Sequence, residues 1–235
     1  MQIGKLDPLF HTFFETIAYI VGFYLYSKAK KSKDTITDSQ RNSVTAGCIL
    51  GAALGSKLIV WLENPSLGWQ AFFAGKGIVG ALIGGWLGTE ITKKIVGIQR
   101  STGDILVIPL IMAIIIGRIG CFVTGFYDQT YGIATNLPIA MDFGDGILRH
   151  PTQLYEIAFL IILLGATFLL EKKKLNEGLL FKIFFISYLL FRFCIQFIKP
   201  TPRIYFGLDI IQILSIMVSL TLIRKRGQIE RRTSQ

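Results

Sequence analysis

The chain has 235 residues, of which 51% are hydrophobic and only 17% are charged, and its mean hydropathy is +0.53. A soluble domain is usually about a quarter charged, so the composition argues against a soluble protein and favours a membrane protein. The net charge of +10 would suggest a nucleic-acid partner in a soluble protein. The distribution of the basic residues explains this charge in another way, and we expect no nucleic-acid partner.

Seven segments are apolar and long enough to cross a hydrocarbon core, which takes roughly 20 helical residues. We therefore predict an all-α integral membrane protein with seven transmembrane helices, in a single transmembrane domain over residues 1–235. The third segment is rich in glycine, which predicts either one closely packed helix or a broken segment that lines a cavity. The predicted spans are residues 9–27, 43–62, 71–90, 104–126, 153–170, 178–198 and 207–223.

Basic residues alternate between successive loops. Sixteen of the 25 Lys and Arg residues lie in the loops after the first, third and fifth spans and in the C-terminal tail. Only four lie in the N-terminal segment and the remaining loops. Cytoplasmic loops collect Lys and Arg, so we predict that the N-terminus lies outside and the C-terminus lies in the cytoplasm. The same rule accounts for the positive net charge.

Two arginines lie within predicted spans, where ionisable groups are costly and usually functional. Arg118 follows the apolar run ILVIPLIMAIII in the fourth span, and Arg192 lies in the sixth. The predicted topology places both toward the outer side, where two guanidinium groups can bind one phosphate by bidentate hydrogen bonds. The alternative is that each arginine pairs with a carboxylate, for which the candidates are Glu15, Asp104 and Glu156.

A long loop between the fourth and fifth spans, at about residues 127–152, lies on the predicted outer side. A loop of this length with its own aromatic and apolar residues is usually functional or folded on itself. Its end reads RHPTQLYE, in which Pro151 can open the fifth helix at its first turn. Arg149 and His150 then precede a helix N-terminus, which favours anions. His150 is a candidate proton carrier, and the alternative is a structural role.

The remaining polar residues indicate little specific chemistry. Lys76, near the outer start of the third span, either reaches lipid headgroups or contributes to function. The two histidines, His11 and His150, and the scattered carboxylates form no recognisable ligand set, so we expect no metal site and no cofactor. The three cysteines all lie in apolar stretches, which indicates free buried thiols.

Four sequence pieces occur in a specific order along the chain: GRIGCF at Arg118, RHPTQLYE, FRFCIQFIKP at Arg192, and QILS at residues 212–215. With them the chain resembles the bacterial prolipoprotein diacylglyceryl transferase family, from residue 18 to the QILS motif. The resemblance implies a multi-pass enzyme of the bacterial cytoplasmic (inner) membrane. Such an enzyme transfers a diacylglyceryl group from phosphatidylglycerol to the lipobox cysteine thiol of a prolipoprotein. The implied partners are phosphatidylglycerol, other membrane lipids and the prolipoprotein signal peptide, and we expect a monomer.

The resemblance also implies roles for individual residues. Arg118 matches the essential arginine of the family signature and is assigned to phosphate binding. Arg192 matches the sixth-span arginine and is assigned to the phosphate or to a lateral entrance. With His150, these two are the predicted catalytic residues. The predicted substrate-binding residues are Arg118, Arg149, Gln153, Tyr155, Glu156, Gly132 and Lys76.

The chain departs from the family pattern at several positions. Cys121, Thr124 and Phe126 stand where the family signature has Asn, Asn and Glu, and Val79 stands where the family has a histidine. The general base proposed for the family is therefore absent from its usual place. The candidate substitutes are His150, Glu15 and Asp128. The alternatives to the family reaction are a related membrane transferase with another acceptor and a non-catalytic phospholipid-binding protein.

Overall fold

The computed structural model describes residues 8–33, 36–173 and 175–233, and these residues are mainly α-helical. They form eight α-helices, four short 3₁₀ turns and one antiparallel pair of two-residue strands. Lys5 and Lys174, which belong to the charge count above, lie outside the described residues. The helices are α1 (Pro8–Lys33), α2 (Asp38–Glu63), α3 (Trp69–Ala74), α4 (Ile78–Ile95), α5 (Val107–Thr124), α6 (Thr152–Glu171), α7 (Leu179–Ile195) and α8 (Ile210–Thr233), and the strands are β1 (Met141–Asp142) and β2 (Leu148–Arg149).

Four helical stretches of the described chain are long and apolar enough to cross a membrane, by length and composition. They correspond to the second, fourth, fifth and sixth predicted spans. The first and seventh predicted spans are also helical, as α1 and α8, and α8 has a shorter apolar part. The fold is therefore consistent with a helical integral membrane protein. The four stretches are Asp38–Glu63, Asp104–Asp128, Thr152–Glu171 and Leu179–Ile198.

The third predicted span is interrupted, because residues 75–77 separate α3 from α4. The following helix packs closely through its glycines. A Cβ added to Gly84 would lie 2.1 Å from the carbonyl oxygen of Gly51, and one added to Gly51 would lie 2.2 Å from that of Gly84. The backbones of α2 and α4 thus touch where only hydrogen fits as a side chain. Of the two alternatives predicted for the third span, close packing through glycines describes α4. This helix begins at residue 78, whereas the predicted span begins at residue 71.

The described residues fall into two compact units. The first unit contains α1, residues 101–184, and residues 197–200. The second contains α2 to α4, residues 185–196, and α8. The α2–α4 glycine contact lies in the second unit, and the 127–152 loop lies in the first.

In the first unit, α5 packs against both α1 and α6. A Cβ on Gly120 of α5 would lie 2.6 Å from the Cβ atom of Phe14, so the glycine allows α1 to approach closely at this point. The carboxylate of Asp104, just before α5, accepts hydrogen bonds from the backbone nitrogens of Gly178 at 2.6 Å and Phe181 at 2.8 Å. This side chain caps the first turn of α7 from a distant part of the sequence, because a carboxylate satisfies the free N–H groups at a helix N-terminus.

The 127–152 loop folds on itself, as the sequence predicts. Phe143 is fully buried and stacks on Tyr131, whose ring also stacks on Phe126. Oδ1 of Asp142 accepts hydrogen bonds from three successive backbone N–H groups, the first of them that of Gly144 at 2.8 Å. The strands β1 and β2 pair on either side of this turn. The sequence did not predict these two short strands, because two-residue strands carry no periodic pattern.

Candidate functional site

Arg118 and Glu156 form an ion pair between α5 and α6 in the first unit. Nε of Arg118 lies 2.9 Å from Oε2 of Glu156, and the two side chains are 11% and 3% exposed. The NH1 group of Arg118 also donates to the sulfur of Cys121 at 3.7 Å. Pairing of this kind offsets the high cost of burying a charge. The structure thus contains the carboxylate pairing that the sequence left as an alternative for Arg118.

A chain of hydrogen bonds joins the loop to the first turn of α6. The Thr152 hydroxyl donates to the Thr130 carbonyl at 2.6 Å, and Nε2 of Gln153 donates to the Thr130 hydroxyl at 3.0 Å. The Thr130 hydroxyl in turn donates to Oδ2 of Asp128. Gln153 is 1% exposed, and its Oε1 atom has no hydrogen-bond partner among the described residues. A buried acceptor without a donor is costly, so Oε1 is a position where a ligand hydroxyl would be stabilised.

The other oxygen of Asp128 faces the first turn of α1. Nδ1 of His11 lies 3.0 Å from Oδ1 of Asp128. Cys121 belongs to the same cluster, because one ligand-type atom from each of the three residues lies within 4.8 Å of the others. Arg118 and Asp128 are therefore linked to each other through a thiol that both approach.

Arg149 and His150 lie directly before α6, as predicted. Arg149 pairs with Asp145, and its guanidinium carbon lies 4.7 Å from the centroid of the Tyr131 ring. The hydrogen bond from Arg149 holds the pKa of the Asp145 carboxyl below its usual value. Nδ1 of His150 lies 3.1 Å from the Tyr155 hydroxyl. These contacts connect Arg149 to the loop and His150 to α6.

Gly132 holds the loop against its neighbours. Its backbone nitrogen donates to the carbonyl of His150 at 2.8 Å. An added Cβ would lie 2.7 Å from both the His150 Cβ atom and the Ile198 carbonyl oxygen, so the packing requires glycine. One boundary prediction was wrong by one position: Pro151 is the N-cap residue, and α6 begins at Thr152.

Two further predicted site residues, Arg192 and Lys76, belong to the second unit. Arg192 lies in the last turn of α7 and is 3% exposed. Lys76 is exposed and lies between α3 and α4. The same unit has a buried polar chain, in which Gln196 donates to Thr201 at 3.2 Å and Thr201 donates to Asp209 at 3.1 Å.

Residues 1–224 match the family model described as prolipoprotein diacylglyceryl transferase. The chain belongs to this family. The motif resemblance is thereby confirmed.

Three relatives named phosphatidylglycerol–prolipoprotein diacylglyceryl transferase show the extent of the similarity. The Wolbachia pipientis subsp. Culex pipiens (strain wPip) protein is 30% identical over 228 residues, covering 87% of this chain and 86% of its own length. The Rickettsia rickettsii (strain Sheila Smith) protein is 31% identical over 246 residues, covering 93% and 92%. The Dehalococcoides mccartyi (strain CBDB1) protein is 29% identical over 217 residues, covering 85% and 81%.

In this member of the family, the first unit brings together several of the predicted residues. Arg118 of α5 pairs with Glu156 of α6, and Gln153 of α6 is connected through Thr130 to Asp128. His11 was not predicted to have a role, although the predicted topology places it on the same side of the membrane as the 127–152 loop.

The buried residues Asp209 and Gln212 of the second unit were also not assigned a role from the sequence. Gln212 N donates to Oδ1 of Asp209 at 2.8 Å, and Asp209 N donates to Oε1 of Gln212 at 3.1 Å. An Asp followed three residues later by Gln, ahead of an apolar run, is the pattern of a capping box. That pattern was the available signal for the start of α8.

Proposed function

We propose that the chain transfers a diacylglyceryl group from phosphatidylglycerol to the lipobox cysteine thiol of prolipoproteins. The observation that carries the proposal is the family match over residues 1–224. In the reaction, the acceptor sulfur forms a bond to a glycerol carbon as the bond from that carbon to the phosphate oxygen breaks. Glycerol phosphate leaves with the electron pair, and the thiol loses its proton because the thiolate is the nucleophile.

The proposed location is the bacterial cytoplasmic membrane, which the chain crosses seven times as a monomeric, single transmembrane domain. The N-terminus lies outside and the C-terminus in the cytoplasm, as the loop charges predict. Large apolar side chains exposed on the helices support contact with lipid. On α6, Ile162 is 73% exposed and Leu169 is 64% exposed. Surfaces of this kind are rare on soluble proteins and common on membrane helices.

Arg118 is the proposed phosphate-binding residue. A guanidinium has five N–H donors in a fixed plane, so it can bind a carboxylate and a phosphate oxygen at the same time. Glu156 fixes its orientation from one side. A cation held in place before the reaction stabilises the charge that develops on the leaving phosphate. Arg192 is proposed as a second phosphate-binding or entrance residue on sequence grounds.

The first turn of α6 is proposed to bind the headgroup. The Oε1 atom of Gln153 can accept a hydrogen bond from a glycerol hydroxyl, which satisfies its buried acceptor. The His150–Tyr155 pair lies on the same helix start and is the proposed proton carrier. The remaining proposed substrate-binding residues are Arg149, Glu156, Gly132 and Lys76.

The experiment that tests this function uses phosphatidylglycerol with a labelled headgroup, the purified full-length chain and a synthetic lipobox peptide. We expect labelled glycerol phosphate to be released in step with a diacylglyceryl mass increase on the peptide. A peptide with serine in place of the lipobox cysteine is the matched control and should give neither. Release without peptide modification would indicate another acceptor, and binding without release would indicate a non-catalytic lipid-binding protein.

A further inference from the structure

A histidine, a cysteine and an aspartate from three elements meet at one end of the first unit. His11 lies in the first turn of α1, Cys121 in the last turn of α5, and Asp128 at the end of the 3₁₀ turn that follows α5. One ligand-type atom of each residue lies within 4.8 Å of those of the other two. The close approach of Gly120 to Phe14 brings α1 and α5 together at this point.

We propose that His11, Cys121 and Asp128 bind one divalent transition-metal ion of the zinc class. An imidazole nitrogen, a thiolate and a carboxylate oxygen are all zinc ligands, and three protein ligands with one open position are typical of catalytic zinc sites. The thiolate disfavours magnesium and calcium, which prefer oxygen ligands alone. This site departs from the expectation that the sequence holds no metal ligand set, because His11 is far in sequence from the other two ligands.

The spacing of the three atoms suits such an ion. Ligand atoms around tetrahedral zinc lie roughly 3.3–3.6 Å apart, given bond lengths of about 2.0–2.3 Å. Atoms that already lie within 4.8 Å of one another reach this spacing through small side-chain rotations.

The contact between His11 and Asp128 also fits two ligands of one ion better than it fits a hydrogen bond. Nδ1 of His11 lies 3.0 Å from Oδ1 of Asp128. Yet Nδ1 is fully covered and makes no hydrogen bond with the described part of the chain. The distance is short enough for a hydrogen bond. The angles at the two atoms must therefore lie outside the range that a hydrogen bond requires. Two ligand atoms that converge on a common ion are close together without pointing at each other.

Neighbouring side chains orient two of the three ligands. The Thr130 hydroxyl donates to Oδ2 of Asp128, which leaves Oδ1 directed at the cluster. Gln153 fixes Thr130 through a hydrogen bond of 3.0 Å. The NH1 group of Arg118 donates to the Cys121 sulfur at 3.7 Å. Hydrogen bonds of this kind to the ligands are a regular feature of metal sites and raise their affinity.

The charges of the proposed site balance. A thiolate at Cys121 and a carboxylate at Asp128 neutralise a divalent ion, and neutral His11 adds no charge. The cation of Arg118 is already paired with Glu156 at 2.9 Å. A neutral cluster is much cheaper than a net charge in a region that is partly buried among apolar helices.

A role for the ion follows if the proposed function is correct, and it rests on that function. The acceptor thiol would bind at the open position, where a metal-bound thiol loses its proton to water. The resulting thiolate would form the carbon–sulfur bond as the carbon–oxygen bond to phosphate breaks, and glycerol phosphate would leave with the electron pair. The family's missing general base would then not be needed for this proton.

The test is cobalt binding by the purified full-length chain under reducing conditions, after dialysis against Co²⁺ and removal of the excess. We expect about one Co²⁺ per chain and a thiolate-to-cobalt charge-transfer band in the near ultraviolet. His11→Phe and Asp128→Asn should lose the bound metal, and Cys121→Ser should lose the charge-transfer band. Thr130→Val should weaken binding by roughly 10–100-fold.

Matched variants separate ligand loss from misfolding. His150→Phe and Cys194→Ser change the other described histidine and an exposed cysteine, and both should keep the metal and the band. His11→Cys replaces one zinc ligand by another and should also retain metal. The proposal is overturned if the wild type retains neither Co²⁺ nor Zn²⁺, or if His11→Phe and Cys121→Ser bind as the wild type does.

The same preparations separate this proposal from the proposed function. Bound metal without labelling of a lipobox peptide would support the site and refute the transferase function. Full labelling by a chain that holds no metal would support the function and refute the site.

Discussion

Arg118 and Glu156 contact each other through Nε and Oε2 at 2.9 Å, and neither side chain is more than 11% exposed. The contact joins the last turns of α5 to the first turns of α6. It also fixes the plane of the guanidinium, because an ion pair made through Nε restrains the whole rigid group. The arginine is thus held in one orientation before any phosphate binds, which is what electrostatic catalysis requires.

Replacement of Arg118 by lysine should reduce kcat/KM for lipobox labelling by about 10²–10³-fold, because a lysine keeps the charge but loses the planar donors. The measurement is the rate of peptide labelling at several phosphatidylglycerol concentrations. Arg100→Lys, at an exposed position in the second unit, is the matched control and should be fully active. Full activity of Arg118→Lys would mean that only the charge matters.

Removal of the negative charge in Glu156→Gln should lower the free energy of unfolding by about 3–5 kcal/mol, since it leaves a cation beside a neutral group in a buried position. Thermal unfolding in detergent measures this loss. The double variant Arg118→Met/Glu156→Leu should be more stable than Glu156→Gln, because no buried charge remains. It should nevertheless be inactive. A double variant less stable than the single one would contradict this account of the pair.

The glycine contact between α2 and α4 should not tolerate a methyl group. An added Cβ on Gly84 lies 2.1 Å from the Gly51 carbonyl oxygen, so Gly84→Ala must push the helices apart at a cost of about 1–3 kcal/mol. Gly165→Ala in α6 is the matched control, since no atom lies within 4 Å of its added Cβ. That variant should keep or slightly raise the unfolding temperature, because alanine favours helix. Equal behaviour of the two variants would refute close packing.

Long apolar runs were sufficient to predict most of the helices, because each predicted span has a helical counterpart among the described residues. The break ahead of α4 was less predictable. It depends on two glycines, Gly75 and Gly77, and glycine is equally common in packed membrane helices. The β1–β2 pair was missed because strands of two residues are too short to carry a repeating pattern.

The site was predictable where its residues share a motif. Gln153 and Glu156 lie three positions apart and therefore fall on one face of α6. The partner of Arg118 remained one of three carboxylates until the packing of α5 against α6 selected Glu156. The His11–Asp128 contact depends on how α1 lies against α5, and no local sequence pattern carries that information.

The Asp145–Arg149 pair should make the stability of the 127–152 loop depend on pH. The pKa of Asp145 is lowered in the folded state, chiefly by the hydrogen bond from Arg149. The pair's contribution to the stability of the folded state is therefore complete above the unfolded pKa of about 4. It is lost as the pH falls through the lower pKa of the folded state.

The measurement is the difference in thermal stability between the wild type and Asp145→Asn across this range. The difference should be constant above about pH 4 and shrink at lower pH. In an Arg149→Gln background the same comparison should show much less change with pH. A difference that grows as the pH falls would contradict the pairing.

Diacylglyceryl transfer to a lipobox thiol can be measured through the mass of a lipobox peptide. The peptide is incubated with the purified chain and phosphatidylglycerol of defined acyl chains, and its intact mass is then measured. We expect a mass increase equal to one diacylglyceryl group with those acyl chains, produced by the wild type and not by Arg118→Ala. If the wild type leaves the peptide unmodified under conditions in which another member of the family modifies it, the chain does not carry out this transfer.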